Sequence, residues 1–308
     1  MHVCLNGRMV EYDRARIAHD DAGLLHGVGL FETMAARNGR VFRLRTHVRR
    51  LVDSAAALGL ATPLDPNKLE RAVQRTLLHN HMQRARVRLT VTAGRICLLA
   101  DPPQEPATAT TLVVASAPTR YDPATFEHGV MALIARAAAN PFDPTAGHKT
   151  LAYWQRLATL RQAAAAGAGE AIWLNISNHL ASGAVSNLFL VKDGTLLTPI
   201  ARGEEVQGAL AAPVLPGVTR AAVIALAAEH DLPTQSRMLD VNDLLEADEV
   251  FLTNSSWHLL PVTRVEKKTI ADGHVGTISG QLRQAMLQLI EKETAEGSDG
   301  SDGSVGSD

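Results

Sequence analysis

Apolar residues recur along this chain at two spacings, one typical of helices and the other typical of strands. A spacing of three or four residues predicts helices near 46–58, 66–82, 151–166, 219–230 and 279–292. Alternating or short continuous apolar runs predict strands near 30–36, 41–44, 84–93, 111–117, 129–136, 171–174, 187–191, 195–198 and 249–252. Because both halves mix strands with helices, we predict a two-domain fold of the α/β and α+β classes.

Residues that favour helix caps and turns lie at the ends of these segments. We expect Thr46 and Asp65 to cap the first two helices, and Asn38-Gly39 to form a type I′ hairpin turn. Pro, Asp and Gly collect between Pro118 and His128, where no apolar periodicity survives. The predicted segments are an N-terminal α+β domain at 1–118, a linker at 119–128, a C-terminal domain at 129–294 and a disordered Gly-, Ser- and Asp-rich tail at 295–308.

Composition limits the classes of partner that we expect. With 30 basic and 32 acidic residues the net charge is −2, which is not the signature of a nucleic-acid-binding protein. No apolar run approaches the ~18 residues that span a bilayer, and the N-terminus lacks an export pattern. The two cysteines, Cys4 and Cys97, form no paired motif and the histidines are scattered. We therefore expect a cytoplasmic protein that binds neither metal, membrane nor nucleic acid.

The stretch Gly147–Trp154 carries the clearest chemical signal. Two prolines and a glycine in 140–147 predict an irregular loop, and helical spacing follows as far as Gly167. We therefore expect Lys149 where the loop meets the first helical turn. The partial positive charge of a helix N-terminus disfavours a protonated amine, which suits a lysine that forms a Schiff base. The alternative is an ordinary solvated lysine.

Three separate pieces of the sequence have the chemistry to bind a phosphate. Gly217-Val218-Thr219 at a helix start offers free backbone N–H groups and a hydroxyl. Asn254-Ser255-Ser256 after a strand offers further donors, and Arg50 on the first helix offers a cation that binds through two N–H groups. The alternatives are an ordinary helix cap, turn residues and a surface charge.

Six motifs occur in one order along the chain: Asp21-x-Gly23-x-x-x-Gly27-x-Gly29-x-Phe31-Glu32-Thr33, His47-x-x-Arg50-Leu51, Lys149-Thr150-x-x-Tyr153, Ser186-Asn187-Leu188-Phe189, Leu215-Pro216-Gly217-Val218-Thr219-Arg220 and Thr253-Asn254-Ser255. In this order they resemble the class IV (fold type IV) pyridoxal-phosphate enzymes. That family includes branched-chain aminotransferase, D-amino-acid aminotransferase and 4-amino-4-deoxychorismate lyase. The resemblance covers about residues 1–290 and implies the two-domain fold of that family.

The resemblance implies pyridoxal 5′-phosphate as cofactor and gives roles to named residues. It implies that Lys149 holds the cofactor through a Schiff base and later moves the proton. The cofactor phosphate is expected at Arg50, Val218, Thr219 and Ser255.

On the substrate side the resemblance implies an amino substrate beside Phe31 and Arg88, with Ser256 between substrate and cofactor. Arg88 matches the arginine that branched-chain enzymes use near the substrate carboxylate. The arginine expected for D-amino-acid aminotransferases is replaced by Ala93, which argues against that substrate. The family also implies a homodimer in which a loop of the second subunit closes the pocket.

The chain departs from its family at one cofactor-binding position. Where members carry a glutamate beside the pyridine nitrogen, this sequence has Ser182. A serine can only hydrogen-bond, so the ring should be a weaker electron acceptor, and elimination depends on that property less than transamination does. With Asn254-Ser255, which most resembles the lyases, this favours conversion of 4-amino-4-deoxychorismate to 4-aminobenzoate and pyruvate. The alternatives are an aminotransferase for amino acids and 2-oxo acids, or a weakly active cofactor-binding paralogue.

Overall fold

A computed structural model describes residues 1–60, 63–95 and 108–295. The predictions for Cys97 and for the tail beyond residue 295 lie outside the described residues. The helices are α1 (Ala22–His26), α2 (Leu44–Ala57), α3 (Pro66–His79), α4 (Ala124–Glu127), α5 (Trp154–Ala165), α6 (Val218–Glu229), α7 (Val241–Leu245) and α8 (Thr277–Thr294). Among these described helices none is both long and apolar enough to cross a bilayer.

The first sheet is antiparallel and has the spatial order β2-β1-β6-β5-β3-β4. Its strands are β1 (His2–Leu5), β2 (Arg8–Glu11), β3 (Gly29–Arg37), β4 (Arg40–Val41), β5 (Ala85–Thr92) and β6 (Thr110–Ser116). One face packs on α2 and α3 through fully buried side chains such as Met34, Leu51 and Leu89. Because side chains alternate along a strand, Phe31, Thr33 and other neighbours of these core residues point to the opposite face.

The second sheet is mixed, with the order β12-β11-β10-β13-β14-β7-β8-β9 and β15 paired to β14. Its strands are β7 (Val130–Ala139), β8 (Glu170–Asn175), β9 (Leu180–Gly183), β10 (Asn187–Lys192), β11 (Thr195–Thr198), β12 (Thr234–Ser236), β13 (Glu249–Asn254), β14 (His258–Val265) and β15 (Lys268–Thr269). Phe189 and Phe251 stack at 5.0 Å between ring centroids, in the layer that packs on α6 and α8. Aromatic pairs of this kind add to the free energy gained by burial alone.

The predicted mixture of α/β and α+β structure is confirmed, and several local predictions agree with the structure. Asp65 caps α3, since its side chain accepts from Asn67 N at 2.9 Å. Thr46 was the wrong cap, because α2 already begins at Leu44 and has no side-chain cap. The short elements α1, α4, α7, β9, β12 and β15, and the eight-residue strand β14, had no prediction. The domain limits stay a prediction; the two sheets are joined through residues 117–129, which contain α4.

Candidate active site

A cavity of about 540 Å³ lies between the two sheets. All of the predicted site residues line it: Phe31, Arg50, Arg88, Lys149, Ser182, Val218, Thr219, Ser255 and Ser256. The cations among the lining residues are Arg50, Arg86, Arg88, Lys149 and Arg156, and no Asp or Glu of the described residues is among the lining. Such a wall suits an anionic occupant, since each unpaired buried cation gains by meeting a negative charge.

Lys149 is positioned by strand pairing and not by a helix. Phe31 N donates to Lys149 O at 2.9 Å, and Leu151 N donates to Gly29 O at 2.9 Å. The helix α5 begins only at Trp154, so the prediction that Lys149 lies in a first helical turn is wrong. The segment pairs with β3 because its backbone polar groups find partners there that an unpaired loop would lack.

A glycine makes this close approach possible. A Cβ on Gly29 would lie 2.6 Å from Val91 O and 2.8 Å from Leu151 Cδ1, closer than real side chains come. The Lys149 Nζ atom then lies 4.6 Å from the Phe31 ring centroid and 5.8 Å from that of Tyr153. No carboxylate within the described part of the chain forms an ion pair with Lys149, and its amine lies beside these two aromatic rings at the cavity wall.

Arg50 is held by a buried carboxylate that the sequence analysis named only as part of a motif. Glu32 Oε1 accepts from Arg50 Nε at 2.8 Å and Glu32 Oε2 accepts from Arg50 Nη2 at 2.6 Å. His47 Nδ1 lies 2.8 Å from the same Oε2. Pro216 O accepts from Arg50 Nη1 at 2.8 Å. A guanidinium carries five N–H groups, so two of them remain for a ligand in the cavity.

Electrostatics keep Glu32 charged. Burial by itself raises the pKa of Glu32, but the Arg50 charge and the hydrogen bond with His47 outweigh it and lower the pKa to about 2. Burial lowers the pKa of His47, although the hydrogen bond with Glu32 and the charge of Glu32 act to raise it. The Glu32–Arg50 pair is therefore a fixed ionic contact between β3 and α2 at neutral pH.

The start of α6 faces the cavity beside Arg50. Its N-cap residue, Gly217, has no side chain that could cap the first N–H groups. The first N–H groups of any helix have no partner inside the helix. Asn187 Nδ2 donates to Leu215 O at 2.8 Å and fixes the preceding turn. A Cβ on Gly217 would overlap the Asn187 amide. Arg50 and the N–H groups of Val218 and Thr219 thus meet in one place.

The turn after β13 supplies the third set of donors. Asn254 Oδ1 accepts from Ser256 N at 2.8 Å and from Trp257 N at 3.1 Å, which presents Ser255 and Ser256 to the cavity. Three residues that line the cavity, His148, Thr253 and Trp257, each contain a fully buried polar side-chain atom with no partner within the described residues. The cavity-facing donors of this turn are therefore assigned to Ser255 and Ser256 alone.

Arg88 and Arg86 lie two residues apart on the cavity face of β5. The Arg88 guanidinium carbon is 3.9 Å from the Phe31 ring centroid, and Arg88 Nε donates to Thr90 Oγ1 at 3.2 Å. Burial, together with the charge of Arg86, lowers the pKa of Arg88. Neither arginine has an ion pair within the described residues, so this corner of the cavity attracts carboxylates.

Ser182 lies on β9, is almost fully buried, and accepts from Arg156 Nη1 at 3.3 Å. Sequence reasoning missed Arg156, Glu32 as the partner of Arg50, and the orphaned nitrogen of His148. For Arg156 the available signal was its position three residues after Tyr153, which places both on one helix face if α5 is extended backwards. For Glu32 the signal was its place in the Phe31-Glu32-Thr33 motif.

Comparisons with known proteins agree along nearly the whole chain. The pattern of the family described as amino-transferase class IV matches residues 29–265. A Methanocaldococcus jannaschii protein with a provisional branched-chain-amino-acid aminotransferase name is 32% identical over 287 residues, 92% of this chain and 94% of that one. Escherichia coli branched-chain amino acid aminotransferase has a similar structure, with a TM-score of 0.86, 26% identity and 97% of each chain covered. Pseudomonas aeruginosa 4-amino-4-deoxychorismate lyase gives a TM-score of 0.80 and 27% identity, covering 93% of this chain and 98% of that one.

Proposed function

Because the chain belongs to the class IV aminotransferase family and is a pyridoxal-phosphate-dependent enzyme, we propose that it transfers amino groups between amino acids and 2-oxo acids. Similarity to branched-chain aminotransferases over almost the full length of both chains supports this reaction ahead of the lyase that the sequence favoured. One structural observation carries the proposal: the cavity that contains the Lys149 amine also contains Arg88 and Arg86 without any carboxylate partner among the described residues.

We assign the cofactor to the groups whose chemistry fits it. When bound, pyridoxal phosphate supplies a carbonyl that joins amines and a ring that accepts electrons. Lys149 Nζ is the amine placed to join it. The two unused N–H groups of Arg50, the N–H groups of Val218 and Thr219, and the hydroxyl of Ser255 suit its phosphate, because anions bind helix N-termini and guanidinium groups.

We further assign Ser182 to the ring nitrogen and Ser256 to the boundary between cofactor and substrate. During the reaction the Lys149 amine moves the proton between the substrate carbon and the cofactor, as general acid–base catalysis requires a group within hydrogen-bond reach. Phe31 and Tyr153, whose rings meet edge-to-face at 5.3 Å, exclude water from one side of that amine.

Arg88 is the proposed partner of the substrate carboxylate. Its guanidinium is fixed by Phe31 on one side and Thr90 on the other, so little side-chain entropy is lost when it binds a ligand. Arg86, farther out on the same strand face, favours substrates with a second carboxylate. Dicarboxylic amino acids and their 2-oxo acids are therefore the proposed class for at least one half of the reaction.

A second copy of this chain is the proposed partner. Leu24 and Leu25 on α1, and Trp154 and Leu157 at the start of α5, are 65%, 56%, 83% and 46% exposed. The two groups adjoin, since a Cβ on Gly27 would lie 3.7 Å from the backbone of Ala152. An exposed apolar patch of this kind marks an interaction site, and a homodimer would cover the mouth of the cavity with it. The cytoplasmic location stays a prediction.

Deoxychorismate cleavage is the second candidate. Ser182 in place of a carboxylate and the Asn254-Ser255 turn favour it, as does similarity to a structure of such a lyase. The cationic wall also suits this substrate, which carries two carboxylates. A weakly active cofactor-binding protein remains the third alternative.

One experiment separates the three. Purified protein loaded with pyridoxal phosphate is mixed with a panel of amino acids plus 2-oxoglutarate, and separately with 4-amino-4-deoxychorismate. We expect new 2-oxo acids from the first mixture, and glutamate among the amino products. Formation of 4-aminobenzoate without amino transfer would establish the lyase instead, and no product from either mixture would favour the weakly active protein.

A further inference from the structure

Arg156 reaches from α5 to the end of β9, where Ser182 lines the cavity. Its Nη1 donates to Gly183 O at 3.1 Å, to Ala184 O at 3.2 Å and to Ser182 Oγ at 3.3 Å. Its guanidinium carbon lies 4.9 Å from the ring centroid of Trp173. The guanidinium is therefore held between a ring face and a set of oxygens, and it lines the same cavity as Lys149.

No carboxylate within the described residues forms an ion pair with Arg156. Glu170, a carboxylate at the turn after β9, accepts from the N–H groups of Ala171, Ala184 and Val185 and from the hydroxyl of Ser186, at 2.8–3.2 Å. Burial raises the pKa of Glu170. Because its oxygens accept from these other donors and it does not line the cavity, Glu170 forms no ion pair with Arg156.

The hydrogen bond from Arg156 favours one role for Ser182. A guanidinium only donates, so Arg156 occupies one of the two lone pairs of the Ser182 hydroxyl oxygen and leaves the hydroxyl hydrogen to be donated elsewhere. A ring nitrogen can accept that hydrogen only if it carries no proton of its own. The charge of Arg156 acts in the same direction, because a nearby like charge disfavours a charged group, by about one to three pKa units at close range.

Resting on the placement of Ser182 in the proposed function, we infer that Arg156 keeps the ring nitrogen of bound pyridoxal phosphate unprotonated. It does so as a positioning residue, through its charge and through its hold on the Ser182 hydroxyl. The other charged or titratable groups around the cavity act in the same direction or are turned away. Arg86 and Arg88 are cations, and Lys149 is assigned to the cofactor itself. The Tyr153 hydroxyl donates to Ala184 O at 3.4 Å, and Glu170 faces the turn.

Nitrogen NMR of cofactor labelled with ¹⁵N in the ring tests this without using activity. In the wild-type protein we expect the signal of an unprotonated nitrogen across pH 6 to 8. Arg156→Gln should raise the pH of half-protonation by about one to three units, while Arg156→Lys, which keeps the charge, should stay close to wild type. Arg161→Gln removes an exposed arginine from the same helix and serves as the matched control.

A wild-type nitrogen that is protonated at pH 7, or an Arg156→Gln protein that titrates like wild type, would overturn the inference. So would a change of the signal in Glu170→Gln that exceeds the change in Arg156→Gln. If Arg156→Gln does not fold, Ser182→Ala replaces it in the test. The ¹⁵N signal of the cofactor bound to Ser182→Ala should shift, because the hydrogen bond from Ser182 is lost, but it should remain that of an unprotonated nitrogen. A signal that does not shift contradicts the inference. Failure of the wild-type protein to bind pyridoxal phosphate at all would instead reject the proposed cofactor site.

Discussion

Glu32 binds Arg50 through both carboxylate oxygens, at 2.8 and 2.6 Å, while itself being only 1% exposed. The pair joins β3 to α2 at the point where Arg50 enters the cavity. A carboxylate that accepts two parallel N–H groups fixes the plane of the guanidinium as well as its position. The two N–H groups left for a ligand are therefore aimed before any ligand binds.

Arg50→Ala should lower both cofactor affinity and stability. A charge-assisted bond to phosphate contributes about 1.5–3 kcal/mol, or roughly 10- to 150-fold in affinity. The same change leaves Glu32 buried without its guanidinium partner and with only His47 beside it, which costs up to about 3–5 kcal/mol. The dissociation constant is measured by titrating apoprotein with pyridoxal phosphate, and the stability by urea unfolding of apoprotein.

The double variant Glu32→Gln/Arg50→Ala separates these two effects. Removing the negative charge of Glu32 should restore much of the stability lost in Arg50→Ala, whereas cofactor affinity should remain low. Cofactor affinity equal to that of wild type in either variant would show that Arg50 serves the fold and not the phosphate.

Lys149→Ala should abolish the visible absorption of bound cofactor and reduce turnover by more than about a hundredfold, because both the covalent link and the proton transfer are lost. Lys192→Ala is the control, since Lys192 lies at the surface and pairs with Glu246 at 2.8 Å. The measurements are an absorption spectrum after dialysis and a rate. A retained visible band that borohydride can reduce would point to a different lysine.

Arg88→Gln should raise KM for every amino-acid substrate, by roughly 10- to 100-fold, because one charge-assisted contact to the carboxylate is lost. Arg86→Gln should raise KM for glutamate and leave KM for leucine nearly unchanged. Steady-state kinetics with both donors in both variants gives the comparison. Equal effects of Arg86→Gln on the two donors would remove the case for dicarboxylic substrates.

Acidification should weaken the fold through His258. Burial, with the charges of Arg283 and Arg37, lowers the pKa of His258 from 6.5 to about 4. Below pH 6.5 the His258 side chain takes up a proton in the unfolded chain but not in the folded protein. The contribution of the neutral His258 to the free energy of unfolding is therefore complete above pH 6.5 and is lost as the pH falls towards 4. The loss amounts to about 3 kcal/mol at most.

His258→Asn tests the acid effect, because asparagine tolerates the backbone φ of +65° at this position. Its stability should depend less on pH between 6.5 and 4 than that of wild type, as measured by urea unfolding at several pH values. Part of the change of the unfolding free energy with pH should remain, since His47 is also buried with a lowered pKa. An unchanged slope would mean that His258 is already protonated in the fold.

Local chemistry determined what the sequence could predict. Asn38-Gly39 forms the expected turn, with φ of 52° and 72°, because those residues tolerate left-handed backbone regardless of what surrounds them. Asp65 caps α3 for an equally local reason. The order of the motifs was enough to identify the family and the cofactor, because each motif is a short segment whose residue types are visible in the chain. The role of Lys149 as the reactive lysine stays a prediction.

Only the tertiary structure decided how distant segments meet. Lys149 lies on backbone paired with β3, more than a hundred residues away, and a helix-start pattern in the sequence could not reveal that pairing. Arg50 meets Glu32 across two elements, and Arg156 meets Ser182 across the edge of the second sheet. Hydrogen bonds and ion pairs depend on positions in space, to which spacing along the chain gives no guide beyond one helix or one hairpin. The protonation state that we infer for the ring nitrogen therefore rests on a contact that becomes visible only once α5 and β9 are packed together.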